Sequence, residues 1–207
     1  MKAFIYCGGN VLRENITERP KKGDLVIAAD SGYLCAKDLS VQVDILVGDL
    51  DSLGEEEFPD GVEFIKLPCE KDLTDTQAAV ETAIERGCDD IVIIGGIGTR
   101  LDHSLSSIGI LSDMKARGIR CYITNGYNRV RYLQNDSLLL GRSPYKYLSI
   151  IALDKVCKGV SADGVKYPLK NAKLLRENQY AVSNEIYGNA ALISVRKGAL
   201  LVIESRD

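Results

Sequence analysis

Short apolar runs alternate with longer helix-like segments over residues 1–125 of the chain. The runs are rich in β-branched residues, which favour strands, and they lie at 3–7, 25–29, 44–47, 62–67, 91–94 and 120–124. The helix-like segments lie between them at 32–39, 72–86 and 103–117. Strands that alternate with helices in this way predict a doubly wound, mostly parallel sheet with helices on both faces.

The helix-like pattern ends near residue 126, and short alternating stretches replace it. Residues 147–153, for example, alternate between more and less apolar side chains, which is typical of half-buried strands. Turn-forming pairs such as Asp163-Gly164 separate these stretches. We therefore predict an α/β domain over residues 1–125 and a smaller all-β domain over residues 126–207.

Composition and charge narrow the possible classes of protein. Hydrophobic residues make up 45% of the 207 residues, enough for a sizeable core. The 26 basic and 29 acidic side chains leave a net charge of -3, which disfavours binding to nucleic acid. The apolar stretches fall far short of the roughly 20 residues that span a bilayer, and the first residues lack a secretory pattern. We expect a soluble, cytoplasmic protein with no membrane or nucleic-acid partner.

The cysteines and the single histidine do not form a recognisable metal motif. The six cysteines stand far apart, and none forms a C-x-x-C pair. We therefore expect reduced, mostly buried thiols. His103 could cap a helix or contact a phosphate, and no Ser or Cys nucleophile lies in a hydrolase-like arrangement around it.

Acidic and glycine residues cluster directly after the predicted strands. Gly8-Gly9-Asn10 follows the first strand and Asp30-Ser31-Gly32 follows the second. The third strand leads into residues 48–52, the fourth into residues 71–75, and the fifth into residues 95–103. Ligands of parallel sheets bind beyond the carboxyl ends of the strands, so we expect these segments to line one cleft.

Asp49 and Asp51 are the strongest candidates for a metal site. They stand two residues apart on extended chain, so both side chains point the same way and suit a hard cation such as Mg²⁺. Taken alone, this spacing is also typical of a solvated turn. The further carboxylates Asp30, Asp75 and Asp102 at neighbouring strand ends favour the metal, because a bound cation offsets their mutual repulsion.

Two segments carry features of a phosphate site. Thr74 and Gln77 have the spacing of a helix-capping box, and Lys71 would stand as a point charge at the mouth of the same cleft. The glycines at 95–98 let backbone N–H groups approach an anion, and Arg100 can form forked bonds to phosphate oxygens. Neither the P-loop nor the dinucleotide fingerprint is present, because the glycine segment lacks the residues that complete those motifs.

Taken together, these segments resemble the motif series of the thiamine pyrophosphokinase family. They are ADSG at 29–32, GDLDS at 48–52, KDLTD at 71–75 and GGIGTRLDH at 95–103, followed by SNE at 183–185 and an apolar run at 198–203. The resemblance covers nearly the whole chain. It implies transfer of a pyrophosphoryl group from ATP to the hydroxyethyl oxygen of thiamine. It also implies a homodimer with shared active sites, in which an α/β nucleotide-binding domain precedes a β-sandwich.

The resemblance further implies roles for individual residues. The metal ligands would be Asp49, Asp51 and Asp75, and the catalytic set would add Lys71, Arg100 and Asp102. The ATP-binding residues would be Asp30, Ser31, Lys71, Asp72, Thr74, Gly96, Gly98, Arg100 and His103. The thiamine-binding residues would be Ser183, Asn184 and Tyr187. Either Asp75 or Asp102 would accept the alcohol proton late in the reaction.

The chain departs from the family pattern at the thiamine rings. Relatives can cover the rings with a tryptophan beside the Ser-Asn segment, and this chain has no tryptophan. Tyr187 is the substitute candidate, because its ring face suits the thiazolium cation. A surface or core tyrosine is the alternative interpretation.

Two other functions stay open at this point. One is a pyrophosphokinase that acts on a pterin alcohol, and the other is a non-catalytic, regulatory nucleotide-binding module. The Ser183-Asn184 segment on an all-β domain favours thiamine over a pterin. The concentration of carboxylates favours catalysis over binding alone, because nothing else would keep mutually repelling groups in one cleft.

Overall fold

The computed structural model describes residues 1–49, 61–67 and 73–207. The chain divides into two compact units, residues 1–126 and residues 127–207. The strands described in the first unit are β1 (Lys2–Tyr6), β2 (Leu25–Ala29), β3 (Ile45–Gly48), β4 (Glu63–Lys66), β5 (Asp90–Ile94) and β6 (Arg120–Thr124). Its described helices are α1 (Gly32–Asp38), α2 (Asp75–Glu85) and α3 (Leu101–Ala116), and a 3₁₀ turn lies at Arg13–Asn15.

The strands of the first unit form a parallel sheet in the order β4-β3-β2-β1-β5-β6. Its central strands are buried on both faces, which explains why they read as continuous apolar runs. Tyr33 and Ala36 of α1 pack against Phe4 and Tyr6 on one face. Cys7 follows β1 and contacts α2, so α2 lies on the opposite face. The predicted doubly wound fold is therefore confirmed.

Local signals in the sequence account for the helix ends. Thr74 Oγ1 accepts a hydrogen bond from the Gln77 N–H, and the Gln77 side chain accepts one from the Thr74 N–H, so the predicted capping box is confirmed. Gly87 and Gly118 follow α2 and α3 with φ of +81° and +73°, a backbone conformation that glycine adopts without strain.

The predicted start of the third helix at residue 103 is wrong, because α3 already begins at Leu101. The Ser104 hydroxyl donates to the Arg100 carbonyl at 2.9 Å and accepts from the Gly98 N–H at 3.1 Å. These bonds fasten the first turn without a side-chain N-cap, which is why the usual capping signal is missing from the sequence.

The second unit contains two antiparallel sheets. Its strands are β7 (Asn128–Gln134), β8 (Ser137–Gly141), β9 (Tyr147–Ala152), β10 (Val156–Asp163), β11 (Leu169–Leu175), β12 (Ala190–Ser194) and β13 (Ala199–Ser205). Strand β13 pairs with β7 and β9, and the other sheet has the order β11-β10-β12-β8. Residues of both sheets, such as Leu200 and Ile193, share one apolar core. This unit is the expected all-β sandwich.

Two further expectations concern cysteines and membranes. The cysteines in the described ranges are free thiols, and Cys7, Cys88 and Cys157 are buried, whereas Cys69 lies outside those ranges. None of the helices that the structure describes combines the length and apolar character needed to cross a bilayer.

Candidate active site

A cleft opens at the carboxyl edge of the parallel sheet, where the strand order reverses. The chain proceeds outward from β1 through β2 and β3 to β4, and then returns to place β5 on the other side of β1. Such a switch point is where open α/β sheets bind ligands. The cleft has a volume of about 290 Å³. It is lined by Cys7, Gly8, Gly9, Asn10, Ala29, Asp30, Ser31, Thr74, Asp75, Thr76, Gly95, Gly96, Gly98, Thr99, Arg100, His103 and Ser107.

The backbones that follow β1 and β5 meet at the base of this cleft. The Cys7 N–H donates to the Ile94 carbonyl at 2.8 Å, and the Gly9 N–H donates to the Gly95 carbonyl at 3.0 Å. A Cβ at Gly9 would lie 2.2 Å from that carbonyl oxygen, so a side chain is excluded there. The glycines therefore let two loops touch and leave bare backbone for a ligand to approach.

The glycine segment after β5 offers fewer free donors than its sequence suggests. The Gly95 N–H donates to the Thr124 carbonyl at 3.0 Å, and the Gly98 N–H donates to Ser104 Oγ at 3.1 Å. Gly96 and Gly98 line the cleft as predicted ATP-binding residues, but the N–H of Gly98 is already bonded within the fold. Gly98 therefore contributes space rather than a hydrogen bond to an anion.

The predicted acidic residues are only partly brought together. Asp30 and Asp75 line the cleft, and Asp30, two residues before the start of α1, has a φ of +48°. Asp49 is half-buried at the end of β3. Among the residues that the structure describes, no group of three Asp, Glu, His or Cys side chains is close enough to hold a metal. Asp51 lies outside the described residues, so the predicted set with Asp49 and Asp75 stays a prediction.

Arg100 and Asp102 form an ion pair at the rim. Arg100 Nη2 lies 2.7 Å from Asp102 Oδ2, Arg100 Nε lies 3.3 Å from Oδ1, and the His103 N–H donates to Oδ1 at 2.9 Å. The bond from Arg100, followed by that from His103, lowers the pKa of Asp102 below its ordinary value. Arg100 and His103 line the cleft, whereas Asp102 is engaged by Arg100. A carboxylate held in this way is a weaker proton acceptor.

Two of the other predicted nucleotide residues also lie in the cleft wall. Ser31 and Thr74 line the cleft, with Thr74 fixed as the cap of α2. Lys71 and Asp72 lie outside the described residues, and their contribution stays a prediction.

Cys7 and Thr76 are cleft residues that sequence reasoning missed. Cys7 Sγ lies 3.4 Å from Thr76 Oγ1 and links the end of β1 to the first turn of α2. Burial raises the pKa of the Cys7 thiol to about 12, so the thiol is neutral at physiological pH. The position of Thr76, directly after Asp75 at a helix start, is the one signal that could have indicated it.

In the second unit, the predicted thiamine segment pairs with residues 164–167. Val165 and Ile186 form an antiparallel bridge, and the Tyr187 N–H donates to the Gly164 carbonyl at 2.8 Å. Side chains alternate between the two faces of such a ladder. Tyr187 therefore shares a face with the ion pair between Lys166 and Glu185, whereas Asn184 lies on the other face.

Asn184 is buried and its side chain is engaged by its neighbour across the ladder. Its Oδ1 accepts from the Tyr167 N–H at 3.0 Å, and its Nδ2 donates to the Tyr167 carbonyl at 2.8 Å. Ser183 is exposed with a φ of +55°, and its N–H donates to Ser149 Oγ at 3.0 Å. The structure thus places the exposed Tyr167, a residue that sequence reasoning missed, directly opposite Asn184.

The fold and the cleft define a nucleotide-binding α/β enzyme unit that precedes a β-sandwich unit. Two family models match the corresponding parts of the chain: the thiamin pyrophosphokinase catalytic domain over residues 17–123 and the thiamin pyrophosphokinase vitamin B1 binding domain over residues 137–200. The chain therefore belongs to the thiamin pyrophosphokinase family, and the resemblance seen in the sequence is confirmed.

Individual relatives agree with this assignment. A thiamine pyrophosphokinase of Bacillus subtilis is 27% identical over 209 residues, which covers 98% of each chain. The crystal structure of thiamine pyrophosphokinase from Bacillus subtilis superposes with a TM-score of 0.89 at 25% identity, and covers 100% of both chains. The structure of a family member from Enterococcus faecalis gives 0.86 at 28% identity, again over 100% of both chains.

Proposed function

We propose that this protein transfers the terminal pyrophosphoryl group of ATP to thiamine. The hydroxyethyl oxygen of thiamine forms a bond to the β-phosphorus, the bond from that phosphorus to the oxygen of the α-phosphate breaks, and AMP leaves. The observation that carries the proposal is the cleft at the switch point, whose wall holds Asp75 and Arg100 within the part that matches the catalytic family model.

The carboxylates of the cleft region suit Mg²⁺. Asp49 and Asp75 offer the oxygen ligands that this cation prefers, and Asp75 lies on the cleft wall at the start of α2. In the proposal, Asp49, Asp51 and Asp75 hold the cation beside the ATP phosphates. Bound there, Mg²⁺ would supply positive charge that stabilises the phosphate oxygens.

The remaining cleft residues position ATP. Lys71 and Arg100 offset the charge of the phosphates, and this charge stabilisation together with in-line positioning provides most of the catalysis. The other proposed ATP-binding residues are Asp30, Ser31, Asp72, Thr74, Gly96, Gly98 and His103. Asp75 and Asp102 remain the two candidate acceptors of the alcohol proton, because Arg100 engages the carboxylate of Asp102 and Mg²⁺ bound at Asp75 would engage that carboxylate as well.

Ser183 and Asn184 border the proposed thiamine site on the second unit. Asn184 acts there by holding the backbone of Tyr167 in place. Tyr187 stays a predicted contact of the thiazolium ring, but its 78% exposed side chain lies on the face opposite Asn184, so one subunit does not present both side chains to the same ligand. A contact between an aromatic face and the thiazolium ring contributes about 0.5–2 kcal/mol.

Incubation of the full chain with ATP, Mg²⁺ and thiamine tests the proposal. We expect AMP and thiamine diphosphate to form in equal amounts, and EDTA to stop the reaction. Parallel reactions contain a pterin alcohol or no acceptor. Formation of AMP with the pterin alone would identify the alternative acceptor. Binding of ATP without AMP formation with any acceptor would identify a regulatory module and contradict the proposal.

We also propose that the active form is a cytoplasmic homodimer with active sites shared between the subunits. The support is the family relationship together with a second unit that matches the vitamin B1 binding domain. Sedimentation velocity at micromolar concentration is expected to give the mass of a dimer. An active protein that sediments as a monomer would contradict the shared site, because Ser183 and Asn184 would then serve only their own chain.

A further inference from the structure

A second cavity lies at the amino edge of the parallel sheet, the edge opposite the cleft. The loops that lead into β2 and β3 enclose it, and its volume is about 430 Å³. Val26 near the start of β2 lines this cavity, whereas Asp30 after the end of β2 lines the cleft. At a rise of about 3.3 Å per residue, β2 therefore separates the two sites by roughly 13 Å. Neither the sequence motifs nor the proposed reaction accounts for this second cavity.

Three cationic side chains of one loop line the second cavity. Arg19, Lys21 and Lys22 stand close together in the segment that precedes β2, in a chain whose net charge is -3. None of the ion pairs between residues that the structure describes involves any of these three side chains. Like charges that lie this close repel each other, and a bound anion offsets the repulsion.

The two carboxylates in the same wall are engaged by the backbone. Asp24 Oδ2 accepts a hydrogen bond from the Lys21 N–H at 2.8 Å, and Asp44 Oδ2 accepts one from the Val26 N–H at 2.8 Å. These bonds fasten the turn before β2 and the start of β2 itself. Because three cations stand against two carboxylates, the wall keeps a net positive charge and favours an anion.

The rest of the wall suits an organic group. Pro20, Leu39 and Val41 contribute aliphatic surface, and Ser40 and Gln42 add neutral polar groups. An arginine fork together with lysine point charges is a combination with which proteins bind phosphate. The volume falls in the range of about 300–1,000 Å³ that is common for sites of small ligands. The cavity therefore has room for an organic group in addition to a phosphate.

We propose that the second cavity binds a small organic phosphate. Its phosphate group contacts Arg19, Lys21 and Lys22, and its apolar part lies against Leu39 and Val41. This proposal does not depend on the proposed reaction, because the second cavity and the cleft lie at opposite edges of the sheet.

Amide chemical shifts of the isotopically labelled full chain, recorded during titration, test the proposal and locate the site. The probes are phenyl phosphate, inorganic phosphate and phenol. Phenyl phosphate is expected to shift the signals of Gly23, Ser40 and Gln42 in a saturable way. Its Kd is expected to be at least about threefold lower than that of inorganic phosphate, because the ring buries apolar surface. Its Kd is also expected to rise with added salt.

Three outcomes of these titrations would overturn the proposal. The first is the absence of saturable shifts at Gly23, Ser40 and Gln42, including the case in which only cleft residues such as Gly9 respond. The second is an equal Kd for phenyl phosphate and inorganic phosphate, because the organic group would then contribute nothing. The third is an equal Kd for phenol, because the phosphate group would then contribute nothing.

The double variant Lys21→Gln/Lys22→Gln tests the contribution of the cationic loop. It is expected to weaken the binding of phenyl phosphate about tenfold or more, because charge-assisted hydrogen bonds to the phosphate are lost. Lys158→Gln/Lys173→Gln is the matched control, since these exposed lysines pair across β10 and β11 and the change removes the same charge. Equal weakening by the two double variants would show that only net charge acts, and would overturn the proposal.

Discussion

Asp75→Asn is expected to lower kcat by about 10²–10⁴-fold, the usual contribution of a positioned acid or base. The carboxylate lies on the cleft wall in the first turn of α2, where it would hold Mg²⁺ and is one of the two candidate acceptors of the alcohol proton. The substitution keeps the size of the side chain and removes its charge. Steady-state kinetics with saturating ATP, Mg²⁺ and thiamine measure the loss.

The fold is expected to survive this substitution. Thr74 and Gln77 cap α2 with bonds that do not involve the Asp75 carboxylate. Loss of a negative charge at a helix start costs about 0.3–1 kcal/mol, so thermal unfolding should change little. Asp113→Asn on α3 is the control, because that carboxylate pairs with Arg117 and is not part of the cleft wall. A kcat within threefold of wild type would remove Asp75 from the mechanism.

Asp102→Asn distinguishes the two candidate proton acceptors. A weaker effect than that of Asp75→Asn agrees with a role of Asp102 in holding Arg100 at the rim. An equal loss of kcat for both variants would show that the ion pair between Asp102 and Arg100 contributes as much to kcat as the Asp75 carboxylate does.

Features encoded over a few neighbouring residues were readable from the sequence. The apolar runs, the capping box at Thr74 and the glycines after α2 and α3 each depend on local chemistry. The segments that directly follow the apolar runs then located the cleft at the strand ends. In a parallel sheet the strand direction brings all carboxyl ends to one edge, so residues distant in sequence were expected together for a geometric reason.

Features that depend on distant contacts were not readable in the same way. The sequence suggested that the Gly98 N–H donates a hydrogen bond to a phosphate. In the structure this N–H donates to Ser104 Oγ instead, because the start of α3 folds back over Gly98. Cys7 and Thr76 are in contact although they lie 69 positions apart in the sequence, and no periodic pattern indicates such a contact. The pairing of Arg13 with Asp38 likewise depends on how the 3₁₀ turn lies against α1.

The aromatic residues near Asn184 illustrate the same limit. Tyr187 is three positions after Asn184 in the sequence, and this closeness suggested a shared site. In the ladder the two side chains lie on opposite faces, whereas Tyr167 is held opposite Asn184 by two hydrogen bonds. Register between strands, rather than distance along the chain, decides which side chains meet.

A buried charge cluster at one end of the β-sandwich dominates the expected stability effects. Glu204 on β13 is 2% exposed. Its carboxylate bonds Arg131, lies 3.7 Å from the guanidinium of Arg129, and accepts a hydrogen bond from Ser143 Oγ at 2.6 Å. The Arg129 guanidinium also stacks 4.9 Å from the ring centre of Tyr145. One buried carboxylate thus forms ion pairs with two guanidinium groups.

Glu204→Ala is expected to lower the free energy of unfolding by about 3–5 kcal/mol. The substitution removes the acceptor for Ser143 and the charge that compensates Arg131, and burying a charge without its partner is costly. Urea unfolding followed by circular dichroism should show a lower midpoint with a similar slope. Glu204→Gln keeps an acceptor oxygen and should lose less. Glu177→Ala, at an exposed position, is the control. A loss below 1 kcal/mol for Glu204→Ala would mean that water or another acidic group replaces the carboxylate, and that the cluster does not hold this end of the sandwich together.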